Sequence, residues 1–232
     1  MRETLVSIII PTYNERENVK TLIPRIFEIF ARSGIKGEVV IVDDNSPDGT
    51  SKVAKAMGKK YEITLVRRKQ KTGLASAVLD GLKRARGRII GIMDADLSHP
   101  PDAIPDLLKP ILSKEADITI GSRYIRGGRI KGWPLKRKVI SKVACLLAKP
   151  LINVKDPVSG FFFFRKEIVE GKQLKPSGYK IGLEIFVKCG GKIKEIPYEF
   201  VDRKKGRSKL GLKENIAYIK HIARLYWYRV SG

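Results

Sequence analysis

Two carboxylates separated by one small residue, Asp94 and Asp96 in the stretch GIMDADLSHP, close an apolar run with the composition of a buried strand. Oxygen donors in this pattern suit a hard divalent cation, which takes one or two carboxylates and leaves its other positions to water and substrate phosphates. If the strand ends between them, one Asp supplies a direct ligand and the other meets a second metal, a water or a sugar hydroxyl, while Ala95 keeps the crevice clear. A second reading makes both side chains caps of the helix that HPPD opens. Two more polar, acidic loops occur earlier, PTYNERE and DDNSPDGT, each following an apolar run. Neither GxGxxG nor GxxxxGK[ST] follows the first of these runs, which excludes a dinucleotide fingerprint and a P-loop. His99 and His221 have no neighbours that suggest a triad and read as structural or surface residues. Cys145 and Cys189 lack metal-ligand spacing and read as reduced packing residues.

The elements that must position these loops alternate in type. LVSIII, EVVIVD, EITLVR, RIIGIMD and ADITIG are short and rich in β-branched residues, as parallel strands covered on both faces are. Between them lie helical patterns: ENVKTLIPRIFEIFARSG, SPDGTSKVAKAMGKK, TGLASAVLDGLKRARG and PPDAIPDLLKPILSK. The expected fold class is therefore α/β, an open, mostly parallel, Rossmann-like sheet with helices on both faces. Such sheets bind ligands at the carboxyl ends of their strands, so the loops after the first, second and fourth strands converge. In the second half, GFFFFRK reads as a buried strand, GYKIGLEIFVKCGG as a helix closed by Gly190, and KIKEIPYEFVDR as an extended segment. A basic amphipathic helix follows GWP, with Val139, Ile140, Val143, Leu146, Leu147 and Ile152 as its stripe. A C-terminal helix carries Ile216, Ile219, Ile222, Ala223 and Tyr226 on one face.

The 232 residues suffice for one domain with a sizeable core. Nothing at the N-terminus reads as a signal peptide, and no apolar run is long enough to span a bilayer. Net charge is +23, and Ile118 to Lys155 contains no Asp or Glu but ten Lys and Arg. A surface this basic attracts an anion: nucleic acid, a phosphate-bearing substrate or lipid headgroups. Against nucleic acid, the aromatics of FFFF sit in a core-like run and the acidic loops repel phosphate unless a metal is bound.

The segments VSIIIPTYNERENV, VIVDDNSPDGTS, GLASAVLDGLKRARG, IMDADLSHPP and GSRYIRGG, in this order and spacing, resemble a family-2 glycosyltransferase of the GT-A fold. GWPLKRKVIS, DPVSGFFFFRKE and FVDRKKGRSKLG narrow the resemblance to the dolichol-phosphate mannose synthases. The resemblance implies inverting, metal-dependent transfer of mannose from GDP-mannose to dolichyl or another polyprenyl phosphate, with Mg²⁺ or Mn²⁺ as cofactor. It places the protein peripherally on the cytoplasmic face of a membrane, by its own surface or through an anchor or partner. The nearest enzymatic alternative keeps the chemistry and changes the donor, for instance to UDP-glucose. By the same resemblance Asp96, with Asp94 and Ser98, holds the cation at the donor diphosphate. Pro11, Tyr13, Glu15, Val42, Asp44 and Ala95 line the nucleotide-sugar pocket, where a carboxylate can accept paired N–H donors of guanine. Arg123, Arg137 and Arg203 grip acceptor phosphate or diphosphate, and Ser208 and Lys209 lie on a loop closing over the donor. Asp94, Asp96, Arg123 and Arg203 form the catalytic set; Glu184 reads instead as a helix anchor. Residues 1–121 then form the nucleotide-sugar half, 122–212 the acceptor half and 213–232 a C-terminal amphipathic helix.

Overall fold

Five apolar runs form strands where the sequence places them: β1 (Val6–Thr12), β2 (Gly37–Asp43), β3 (Ile63–Arg67), β4 (Ile89–Ile92) and β5 (Ile118–Ser122). The computed structural model describes residues 5–175, 180–202 and 212–231, the last segment without the side chains of 212–214. Helices α1 (Arg16–Arg32), α2 (Thr50–Met57), α3 (Leu74–Leu82) and α4 (Ile104–Leu112) connect the strands, α4 following a 3-10 turn at Pro101–Ala103. Strands β1 to β4 pair in parallel in the order β3-β2-β1-β4. Both faces of β1 are buried: Ile8 and Ile10 pack in one core with Val19, Leu22 and Ile26 of α1, and Ile9 packs with Val78 of α3 in the other. Each such side chain withdrawn from water contributes roughly 1.5–3 kcal/mol, which is why the runs are continuous rather than alternating.

The expected phenylalanine strand, β7 (Phe162–Arg165), enters between β4 and β5 and runs antiparallel to both. Phe161 and Phe163 pack on one side of the sheet, Phe162 and Phe164 on the other. Gly91 of β4 faces this strand, and a Cβ there would come within 2.3 Å of the Phe163 ring. The edge strand β8 (Ile193–Pro197) pairs in parallel with β5. A small second sheet joins β6 (Arg129–Lys131), which the sequence does not announce, to β9 (Glu199–Val201).

Helices α5 (Leu135–Ala148), α6 (Ile181–Cys189) and α7 (Leu212–Ser231) complete the second half, and α6 stops at Gly190 with φ 65° as expected. The apolar stripe of α5 is not core: Val139, Val143 and Leu146 are each half or more exposed. Helix α7 buries Tyr218, Ile222 and Leu225 and leaves Ile216 and Ile219 of its apolar stripe outward. Its polar anchors set that orientation. The Tyr218 hydroxyl donates to the Ala144 carbonyl at 2.6 Å and Arg224 donates to buried Glu184 at 2.7 Å. Glu184 thus anchors a helix, as expected. No helix among the described residues is long and apolar enough to cross a membrane.

Candidate active site

The sheet order sets β2 and β4 on opposite sides of β1, so the chain leaves the carboxyl end of β1 in opposite directions and opens a crevice there. Each loop at this end turns through a left-handed residue: Asn14 (φ 59°), Asn45 (φ 57°) and Leu97 (φ 65°). Asparagine tolerates that conformation; leucine does so only when the surroundings impose it. Here Asp96 imposes it, its Oδ1 accepting from the Ser98 backbone N–H at 3.1 Å and the Ser98 hydroxyl at 2.6 Å. Neither carboxylate caps the 3-10 turn, whose N-cap Pro100 has no side-chain bond, so the capping reading fails.

Asp94 and Asp96 line a cavity of about 140 Å³ while Met93 and Ala95 are buried in the core beneath, as the i, i+2 spacing requires. His99 is a wedge under this loop. It stacks on Phe161 at 4.9 Å, and its Nδ1 accepts the Asp94 backbone N–H at 3.0 Å. Burial pulls its pKa down against the opposing pull of Asp94 and Asp96, which keeps the ring neutral.

Across the cavity stand Arg123 and Arg137, each held by a carboxylate. Asp156, fully buried, accepts from Arg123 Nε and Nη2 at 2.7 Å each and from its backbone N–H at 3.0 Å. Burial works against the Arg123 charge, but Asp156 outweighs it and the pKa is raised. Asp156 is itself fixed by Glu195 of β8, which accepts its backbone N–H at 2.9 Å. The backbone folds back tightly here: a Cβ at Gly128 would lie 2.6 Å from the Ser122 carbonyl oxygen. Arg137 pairs with Asp202 at 2.8 Å and lies over the Trp133 ring at 4.1 Å.

A second cavity of about 280 Å³ adjoins the first and shares Arg123, Trp133, Arg137, Val158 and Lys180 with it. Its remaining wall is largely apolar, from Val139, Val143 and Leu147 of α5 and Tyr218 and Ile219 of α7. Lys180 stands where the two meet, donating to the Val158 carbonyl at 2.5 Å, with burial and then Arg123 drawing its pKa down to about 8.

The other expected residues lie at the ends of β1 and β2, outside this cavity. Lys71 sits 3.7 Å from the centre of the Tyr13 ring, and Glu15 accepts from Asn18 at 2.6 Å. Asp44 gives one oxygen to Arg68 at 2.6 Å, and Arg68 also reaches Asp80 at 3.3 Å. Val42 is wholly buried between β1 and β3 and offers no surface to a ligand, and Pro11 is half-buried. Arg203, Ser208 and Lys209 lie outside the described residues.

Sequence reasoning passed over Asp156, Trp133, Lys180 and Arg68. Asp156 had a signal, as the first acid after the acid-free run. Trp133 and Lys180 carry none, since only the fold brings the start of α5 and the start of α6 to one wall. Both cysteines are free among the described residues, and burial pushes the Cys145 thiol up to about 12 and Cys189 up to about 11.

Residues 7–171 match the family model for glycosyl transferase family 2. A dolichol-phosphate mannosyltransferase of Pyrococcus furiosus is 48% identical over 225 residues, 95% of this chain and 63% of that protein. This chain thus spans less than two thirds of the length of that relative. The dolichol-phosphate mannosyltransferases of Mycosarcoma maydis and Saccharomyces cerevisiae are each 37% identical, over 96% and 97% of this chain and 79% and 88% of theirs. Among solved structures, glucosyl-3-phosphoglycerate synthase of Mycobacterium tuberculosis, crystallised with Mn²⁺, UDP-glucose and glycerol 3-phosphate, superposes with a TM-score of 0.70 at 21% identity, covering 97% of this chain and 80% of that one. Mannosyl-3-phosphoglycerate synthase of Rubrobacter xylanophilus gives 0.69 at 19%, covering 95% and 73%. These two likenesses speak for the fold, and they agree with the open sheet and its crevice. The sequence matches go further: the chain belongs to glycosyl transferase family 2, in the branch that holds the dolichol-phosphate mannosyltransferases.

Proposed function

We propose that the chain catalyses inverting, metal-dependent transfer of mannose from GDP-mannose to dolichyl or a similar polyprenyl phosphate at a membrane surface. One observation carries this reading beyond the names of the relatives: the carboxylate-lined cavity and the apolar groove share a cationic wall. A sugar diphosphate needs the first, a prenyl chain the second, and a phosphate head the wall between them.

The donor set fits Mg²⁺ or Mn²⁺. Asp94 and Asp96 offer hard oxygens to one cavity, and no group of three or more His, Cys, Asp or Glu side chains placed to hold a metal ion occurs among the described residues. That suits an ion completed by water and substrate phosphates. Asp96 is the principal ligand, with Asp94 beside it. Ser98, whose hydroxyl is turned onto Asp96, serves the site by orienting that carboxylate as well as by its own oxygen. When bound, the cation supplies positive charge to the departing diphosphate.

The acceptor phosphate is ionised at neutral pH, so its oxygen attacks the anomeric carbon without a general base. The side chains agree: His99 is buried and neutral, and Glu184, in the first turn of α6, is locked among cations and does not line the cavity. Arg123, Arg137 and Lys180 lower the repulsion between two anions and hold them in line. Arg203 retains the grip on acceptor phosphate or diphosphate, and Ser208 and Lys209 the place on a loop closing over the donor, that the family resemblance gives them. The nucleotide half, residues 1–121, carries Pro11, Tyr13, Glu15 and Asp44 toward the base over buried Val42, with Arg68 fixing Asp44. The acceptor half, residues 122–212, and the C-terminal helix from 213 supply the groove. Exposed Leu135, Val143 and Leu146, among exposed Lys136, Lys138 and Lys142, suit α5 to the headgroup region of a bilayer.

The test offers GDP-mannose, UDP-glucose and UDP-GlcNAc in turn with a polyprenyl phosphate and Mg²⁺ or Mn²⁺. Mannosyl phosphate lipid from GDP-mannose alone supports the reading. Preference for UDP-glucose keeps the chemistry and moves the donor, and transfer from none overturns the reading.

A further inference from the structure

Trp133 is buried to 8% exposure at the seam of the two cavities, and its indole N–H meets no acceptor among the described residues. Such a donor is costly to leave unmade, by about 1–3 kcal/mol, and because Trp133 lines both cavities a ligand oxygen at their seam can relieve that cost. Arg137 lies over the ring at 4.1 Å, Arg123 stands at 5.1 Å, and Phe200 meets it edge-on at 5.1 Å. Both arginines are tied down in turn by Asp156 and Asp202.

Building on the transfer reaction proposed above, we infer that the Trp133 indole N–H donates a hydrogen bond to a non-attacking oxygen of the acceptor's phosphate group. The position follows from the layout. A chain in the apolar groove and a sugar diphosphate at Asp94 and Asp96 leave the shared wall for the phosphate, and Trp133 is the uncharged donor on that wall. Its neutrality matters. Arg123, Arg137 and Lys180 already supply positive charge, and more of it would hold the electrons of the attacking oxygen back. An indole N–H fixes the orientation of the phosphate and leaves the nucleophile's charge almost untouched. Trp133 is thus a further substrate-positioning residue, selective for an ionised oxygen over the hydroxyl of a free prenol.

The chain has two tryptophans, and Trp227, 73% exposed on α7, supplies the second indole signal. In ¹⁵N-indole-labelled protein, with Trp227→Phe used to assign the two peaks, farnesyl phosphate shifts the Trp133 N–H proton downfield. Farnesol does not, and inorganic phosphate shifts it in the same direction. In kinetics, Trp133→Phe keeps an aromatic ring under Arg137, leaves the KM for the sugar donor unchanged and raises that for the prenyl phosphate about tenfold, roughly 1.4 kcal/mol. An indole signal unmoved by farnesyl phosphate, or moved equally by farnesol, overturns the inference, as does wild-type acceptor KM in Trp133→Phe. The indole titration does not depend on turnover, so a protein that shows the shift yet transfers no sugar would refute the proposed reaction and leave this contact standing.

Discussion

Replacing Asp156 by Ala removes the carboxylate that balances Arg123 inside the protein. Asp156 is wholly buried and accepts three hydrogen bonds from Arg123, two of them at 2.7 Å from the guanidinium. Arg123 is 8% exposed, so without its partner the charge stays largely withdrawn from water. Breaking a buried pair from one side costs about 3–5 kcal/mol. For a chain of this size each kcal/mol lowers the melting temperature by about 2–4 °C, so Asp156→Ala should melt about 6–20 °C lower. Circular dichroism melts measure this directly. The double variant Arg123→Met/Asp156→Leu buries no charge, and most of the lost stability should return. Transfer activity should not return, because the guanidinium on the shared wall is gone. An Asp156→Ala melt within about 2 °C of wild type, less than one kcal/mol, would refute the account of the pair. A fully active double variant would remove Arg123 from the reaction.

Asp96→Ala should abolish transfer in a protein that still folds, its melt lowered a few degrees by loss of the two bonds from Ser98 rather than by any opening of the core, and EDTA should silence wild type reversibly; turnover that survives both would remove the metal. Glu184 is surrounded by Lys188 at 2.8 Å, Arg224 at 2.7 Å and the Lys175 N–H at 2.8 Å, and although burial opposes its charge, His221 at 3.3 Å and these donors bring its pKa from 4.5 down to about 2. A depressed carboxylate stabilises the fold fully above its unfolded pKa and loses that contribution as pH falls. Glu184→Gln should therefore lower the urea midpoint at pH 7, by an amount that shrinks between pH 4.5 and about 2; a pH-independent difference would contradict the ion cluster. Leu135→Ser/Leu146→Ser changes two side chains, 77% and 67% exposed, that do not line the groove. It should weaken flotation with anionic liposomes while leaving transfer to a soluble short-chain prenyl phosphate unchanged, and equal flotation would remove α5 from the membrane contact.

The strands of the nucleotide half were legible because burial on both faces demands continuous β-branched runs, and the Asp94/Asp96 spacing was legible because a strand end turns i and i+2 to the same side. Direction was not: β7 is antiparallel, yet an apolar run such as FFFF suits either sense. The buried face of α7 was not legible for a related reason. Periodicity marks a stripe without saying whether core or groove receives it, and the pull of Glu184 on Arg224, read only in three dimensions, turned Ile216 and Ile219 outward. Arginine candidates stood out by type, but what holds them did not, since Asp156 and Asp202 are distant in sequence from Arg123 and Arg137. Trp133 and Lys180 became visible only when two helix starts met at one wall.

The central claim is that one continuous site brings a sugar diphosphate and a lipid phosphate together for a single displacement. Its most direct test is the anomeric configuration of the sugar in the product formed from GDP-mannose and a short polyprenyl phosphate, read by NMR. Donor mannose is α-linked, so an in-line attack across the wall formed by Arg123, Arg137 and Lys180 gives β-mannosyl phosphate lipid. An α-linked product, or mannose delivered to water rather than to the lipid phosphate, would contradict it.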